Sequence, residues 1–170
     1  LLKFFYFQDN DSFKVYFHIL KLIDVFTPDL EKEESIFYLI KEIAETLETN
    51  KKQYLLFLAF KLRFIEILGY GIKLDKCCIC EKEMERYFFS PKKGGVICKN
   101  CNKEDPNCVK ISKKIISIMR FIKKIEIKNV EVLNIKKIDA EKINYLCNLT
   151  LYYHTNLNFI WWKNENNIFR

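Results

Sequence analysis

Two cysteine pairs, Cys77-x-x-Cys80 and Cys98-x-x-Cys101, stand seventeen residues apart near the middle of this 170-residue chain. A C-x-x-C knuckle puts two thiolates on one tight turn, so two knuckles offer the four corners of a tetrahedron. Four sulfurs at this spacing are the ligand set of a structural zinc ion rather than a disulfide framework. Cys78 lies beside Cys77 but breaks the x-x spacing to Cys80, so Cys77 is the expected ligand. A catalytic zinc keeps an open position and usually draws on His or carboxylate. Here all four ligands are sulfur, and His18 and His154 are distant in sequence.

Seven cysteines are an odd number. With four on a metal, Cys78, Cys108 and Cys147 remain as free thiols, which implies a reducing, cytoplasmic setting. No run of about 18 uncharged apolar residues is present, so no membrane span is expected. The apolar opening Leu1–Phe7 stops at Gln8-Asp9-Asn10-Asp11 without a small-residue cleavage site, and the chain does not begin with methionine. It therefore reads as a piece of a longer protein. Nearly half of the residues are hydrophobic, while only four glycines and three prolines punctuate the chain, which favours helices over a turn-rich sandwich.

Three helices are expected ahead of the cysteines. Residues 12–26 place Phe13, Phe17, Leu20 and Val25 near one face, with Ser12 as cap. Residues 33–47 carry Ile36, Leu39, Ile40, Ile43 and Leu47 behind an acidic start. Residues 53–68 are apolar on nearly every side, as suits the centre of a bundle, and Gly69 ends them. Residues 73–108 then read as a zinc ribbon of two small hairpins, too small to bury a core unaided. Helix returns at 112–127 and again at 140–154, the latter with Ile143, Leu146, Cys147 and Leu151 on one face.

Net charge is +7 and uneven. Residues 1–72 carry nine basic and eleven acidic groups, residues 73–108 eight and six, and residues 109–170 twelve and five. The stretch 110–128 alone holds seven basic residues against Glu126. A lone charge run is often just a solvated helix face. This one also fits phosphates or an acidic peptide, with Lys113, Lys114, Arg120, Lys123 and Lys124 as candidate contacts for DNA or such a peptide. The tail aromatics Phe159, Trp161 and Trp162 could stack bases or simply pack a terminal segment. No P-loop, dinucleotide fingerprint, nucleophile elbow or H-E-x-x-H occurs, so no enzyme and no small-molecule substrate is expected.

The stretch from Phe60 to Cys77, with Leu68-Gly69-Tyr70 and Leu74-Asp75-Lys76-Cys77, resembles the bacterial recombination and repair family RecO. Phe89-Ser90-Pro91 followed by Gly94-Gly95-Val96-Ile97-Cys98, and Leu151-Tyr152-Tyr153-His154 with Leu157, are similar to two further motifs of that family. Glu81 stands where a glycine often follows the first knuckle there, and Asn156 where one is common after the histidine. The resemblance covers the helical and zinc-binding region; the family's N-terminal OB-fold, a DNA-binding barrel, is not in this sequence. It implies a non-enzymatic recombination mediator of the RecF pathway, bacterial, cytoplasmic and nucleoid-associated. Such proteins bind single- and double-stranded DNA, RecR and the acidic C-terminal tail of single-stranded-DNA-binding protein (SSB). They anneal strands and help load RecA.

The expected architecture is thus mainly α: one helical bundle domain over 1–170, its helices in 1–72 and 109–170 packed together, with a small β zinc ribbon inserted at 73–108. The alternative function is a zinc-ribbon scaffold for protein–protein assembly without DNA binding.

Overall fold

The computed structural model describes residues 9–27 and 34–155; the tail aromatics, Asn156 and Leu157 lie outside the described residues. Five α-helices occur among these: α1 (Asn10–Phe26), α2 (Glu34–Leu47), α3 (Gln53–Ile67), α4 (Lys113–Lys124) and α5 (Lys137–Thr155). Three short strands accompany them: β1 (Tyr87–Ser90), β2 (Gly95–Cys98) and β3 (Val109–Ile111). The fold is mainly helical, as the sequence predicts.

α3 is the axis of the bundle and packs against α1, α2, α4 and α5. Leu55 through Leu62 are all buried, and Phe64 and Ile65 with them, so the all-round apolar pattern does mark the central helix. Gly69 adopts φ +84°, and the helix closes in a Schellman arrangement. Tyr70 N–H reaches Ile65 O at 2.9 Å, and Gly69 N–H reaches Glu66 O at 3.0 Å.

α1 differs from expectation in two ways. Asp9, not Ser12, is its cap: Asp9 Oδ1 accepts from the N–H groups of Asp11 (2.9 Å) and Ser12 (2.7 Å). Ser12 instead sits buried in the first turn and donates to Asp9 Oδ2 and to Leu47 O, tying α1 to the end of α2. The buried face is Val15, Ile19 and Leu22, whereas Phe13, Phe17 and Leu20 are 56%, 45% and 40% exposed. The helix has two apolar stripes at the same spacing, and the Cβ-branched and aliphatic one fits against α3. In α2, Ile36, Leu39, Ile43 and Leu47 are buried as the pattern requires, and Ile40 is half-buried.

The ribbon is not two hairpins. β1 and β2 form the one ladder hairpin, and β3 adds on the other side of β1, giving an antiparallel sheet in the order β2-β1-β3. The segment leading into the first knuckle contributes a bridge between Lys73 and Gly95 in place of a second hairpin. That approach is close: a Cβ on Gly95 would lie 2.3 Å from Lys73 O, so glycine is required. Phe89, Val96 and Ile97 join the same hydrophobic core as the helices.

Lys110, the first residue of the basic stretch 110–128, lies on β3 and not on the helix that follows. α4 begins at Lys113, with Ser112 Oγ accepting from Ile115 N–H at 3.3 Å. It ends at Lys124, three residues before the expected stop. Ile125 turns extended, which lets a 3-10 segment, Ile127–Val132, drop Ile127 and Val130 into the core. Lys128 lies on that segment, not on α4.

Candidate metal centre and cationic surfaces

The two knuckles bring Cys77, Cys80, Cys98 and Cys101 together, with all four sulfurs within 4.8 Å of one another. Cys80 Sγ and Cys98 Sγ are 3.9 Å apart. That is far beyond a disulfide bond and close to the edge of about 3.8 Å that a tetrahedron with zinc–sulfur bonds of about 2.3 Å would have. Backbone geometry fixes the set. Glu81 N–H donates to Cys77 O at 2.8 Å, Cys77 N–H to Lys82 O at 3.1 Å, and Cys78 N–H to Val96 O at 2.9 Å, stitching the first knuckle to β2. Cys98 N–H points at Cys77 Sγ at 3.4 Å.

Burial pushes the Cys77 thiol up. The N–H groups of Cys80, Cys98 and Ile79, with the Cys80 thiol, outweigh it and bring the pKa down to about 6. Cys101 goes the other way: burial, then the sulfurs of Cys98, Cys80 and Cys77, push its thiol well up. Four sulfurs so crowded cannot all ionise unless a cation sits among them. The cluster is therefore placed to hold a metal ion, and an all-sulfur set is one that zinc takes.

The five basic residues singled out on α4 do different things. Lys113, Lys114 and Lys124 are exposed. Lys114 is ion-paired with Asp139 at the start of α5. Arg120 and Lys123 turn toward the ribbon's root. Arg120 donates to Leu74 O and to Asp75 O, and pairs with Asp75 Oδ1 at 3.1 Å. Lys123 Nζ reaches Ile72 O at 3.1 Å and Glu66 Oε1 at 3.3 Å. Those two side chains clamp the segment that enters the ribbon onto α4.

A groove of about 540 Å3 opens where β3, the start of α4 and the start of α5 meet. Ile111, Ile115, Ile138 and Tyr145 supply an apolar floor; Lys110, Lys142, Asp139 and Glu141 line the edge. Lys142 Nζ lies 5.0 Å from the Tyr145 ring centroid, and Ile138 is 66% exposed. Two helix N-termini converge here, an arrangement that favours negative charge. Lys110, Lys142 and Tyr145 were not among the sequence candidates. The α5 helix starts at Lys137, three residues ahead of the predicted Ala140, and so brings Ile138 and Asp139 to the groove.

A helical bundle that carries a four-cysteine ribbon between its third and fourth helices defines the class of protein. The chain belongs to the family described as Recombination protein O C terminal, whose sequence profile matches residues 10–159. Proteins named DNA repair protein RecO are similar to it. That of Caldanaerobacter subterraneus subsp. tengcongensis is 25% identical over 154 residues, covering 88% of this chain and 60% of the relative. That of Clostridium novyi is 31% identical over 127 residues, covering 72% and 47%. That of Dehalococcoides mccartyi is 27% identical over 116 residues, covering 67% and 46%. The chain thus spans about half the length of the curated relatives it matches. No solved structure matches it. Among the described residues, no helix is long and apolar enough to cross a membrane.

Proposed function

We propose that this chain is the partner-binding helical module of a DNA-repair protein, serving as a non-enzymatic recombination mediator. Family membership and the names of its relatives support the repair role. The reading includes DNA, RecR and the acidic tail of SSB as partners, strand annealing and RecA loading as outcomes, and the bacterial cytoplasm at the nucleoid as location. Within it, the helices of 1–72 and 109–170 form one body and the ribbon of 73–108 is an insert. Cys77, Cys80, Cys98 and Cys101 hold a structural zinc, because four sulfurs complete the tetrahedron and leave no position for a reacting water.

The groove between α4 and α5 carries the reading. An acidic peptide ending in an apolar residue needs an apolar floor for its end and positive potential for its carboxylates. Ile111, Ile115 and Ile138 offer the first. The second comes from two helix N-termini and from Lys110 and Lys142 at the edge, with exposed Lys113 beside it; of the two acids there, Asp139 is paired with Lys114 and Glu141 opposes the lysines.

Titrating a labelled SSB tail peptide tests this. Lys113→Glu/Lys114→Glu weakens binding at least tenfold, and Ile138→Glu abolishes it. Lys123→Glu/Lys124→Glu acts more weakly, since Lys123 serves the ribbon root. Unchanged affinity in the first two variants removes the groove from the proposal.

A further inference from the structure

The turn between β1 and β2 carries positive charge that no described residue neutralises. Ser90 is fully buried at its start; Ser90 Oγ accepts from Lys93 N–H at 3.0 Å and donates to Asp105 Oδ2 at 2.5 Å. Asp105 is itself 2% exposed, and its other oxygen accepts from Asn107 N–H at 3.0 Å. Gly94 N–H closes the turn on Pro91 O at 3.1 Å. A buried serine–aspartate pair therefore fixes the turn from within, and Lys92 and Lys93 face solvent.

Lys73 is delivered to the same place by the backbone. Its N–H donates to Gly94 O and its carbonyl accepts from Val96 N–H, each at 2.9 Å. Its neighbours Ile72 and Leu74 are buried while Lys73 is exposed. Lys73, Lys92 and Lys93 thus stand at one end of the ribbon, and none forms an ion pair with a described residue. Exposed cations brought together this way are screened by water and salt alone, and a polyanion that releases their counterions binds favourably. Described residues of the ribbon include no exposed large hydrophobic side chain, so an apolar-ended peptide has no anchor here. Lysines on long flexible stems suit a row of phosphates instead. Arg120 and Lys123 hold the carbonyls of residues 72, 74 and 75, so α4 anchors the segment that presents Lys73.

We propose that the Lys73, Lys92 and Lys93 end of the ribbon is a contact site for the phosphate backbone of nucleic acid, separate from the peptide groove. The inference rests on the DNA-repair reading. The metal and the Ser90–Asp105 pair then act as the frame that presents these lysines.

Fluorescence anisotropy with a labelled oligothymidylate and with a duplex, each titrated with salt, tests it on the 170-residue chain. Each lost phosphate contact lowers the slope of log K against log salt by about 0.7 on single strands and about 0.9 on duplex. Lys73→Gln/Lys92→Gln/Lys93→Gln is expected to lower the single-strand slope by about 2 and the affinity more than tenfold at about 50 mM salt. Lys92→Arg/Lys93→Arg keeps wild-type slope and affinity, which separates charge from folding; zinc content and helical circular dichroism are followed in both. Wild-type slope and affinity in the Gln variant overturn the inference and leave the DNA reading intact. Loss of SSB-peptide binding with unchanged DNA binding assigns the turn to an acidic protein and also overturns it. A wild-type chain that binds no DNA overturns both the site and the DNA part of the functional reading, while the peptide titration still stands by itself.

Discussion

Tyr70 and His154 lie face to face, their ring centroids 4.5 Å apart and their planes 7° from parallel. Tyr70 directly follows the Gly69 that ends α3, and His154 is in the last turn of α5. The two motifs that carry the family resemblance on either side of the ribbon therefore meet in space. The stack pins the ends of two packed helices and fixes the direction in which the chain leaves for the ribbon. Aromatic pairs of this kind contribute about 0.5–1.5 kcal/mol beyond the area they bury. Tyr70→Ala and His154→Ala should each destabilise the chain in urea, and a double-mutant cycle should show a coupling in that range. Strictly additive effects would mean that the rings are neighbours without energetic consequence.

Glu81 is the non-glycine residue with positive φ among the described residues, at +58°. It closes the first knuckle, where its N–H reaches Cys77 O at 2.8 Å. An L-residue held in the left-handed region costs roughly 1–2 kcal/mol relative to right-handed backbone, and glycine escapes most of that. Glu81→Gly should therefore stabilise the ribbon by up to about 1 kcal/mol. Competition against a chromophoric chelator reads this as tighter zinc retention. Weaker retention in the variant would show that the carboxylate, not the backbone, matters at this position.

What could be read from sequence follows the range of the interaction. The cysteine cluster was legible because each knuckle is local and its spacing encodes the turn. α3 was legible because apolar residues on every side leave no orientation to choose. α1 was not, since Phe13-Phe17-Leu20 and Val15-Ile19-Leu22 have the same helical spacing, and only α3 selects between them. The end of α4 lacks glycine or proline; the burial of Ile127 and Val130 sets it. β3 is three residues whose identity as a strand comes from β1. Arg120 and Lys123 looked like free surface charge because the carbonyls they bind lie 45 or more residues away.

Lys61 sits in the middle of the apolar helix and is fully buried. Its Nζ donates to Asn144 Oδ1 at 2.7 Å and Asn148 Oδ1 at 2.5 Å, one turn apart on α5, and lies 4.7 Å from the Phe57 ring centroid. This polar link sets the register of α3 on α5. Lys61→Met removes the donor from two buried amide oxygens and should cost about 1–3 kcal/mol for each acceptor left unsatisfied. Lys61→Met/Asn144→Leu/Asn148→Leu should recover part of that loss, since an apolar set can replace a buried polar one. Urea unfolding measures both. A triple variant less stable than the single one would show that the two asparagines serve the fold independently of Lys61.

Removing the metal should loosen the ribbon while much of the helical core persists. The helices contact one another chiefly through α3, and the sheet is held mainly by its own strands and the 3-10 turn Cys101–Glu104. Without a cation the four crowded sulfurs cannot all stay ionised, and the knuckles lose their common centre. Chelation at neutral pH should therefore speed amide exchange across Tyr87–Cys98 by orders of magnitude while leaving most helical circular dichroism in place. Acid should release the metal too, because protons compete for thiolates. The core residues Phe89, Val96 and Ile97 will limit how far the ribbon opens, as they pack with the helical core. A chelator that unfolds helices and ribbon in one cooperative step would instead make the metal part of the bundle's own stability.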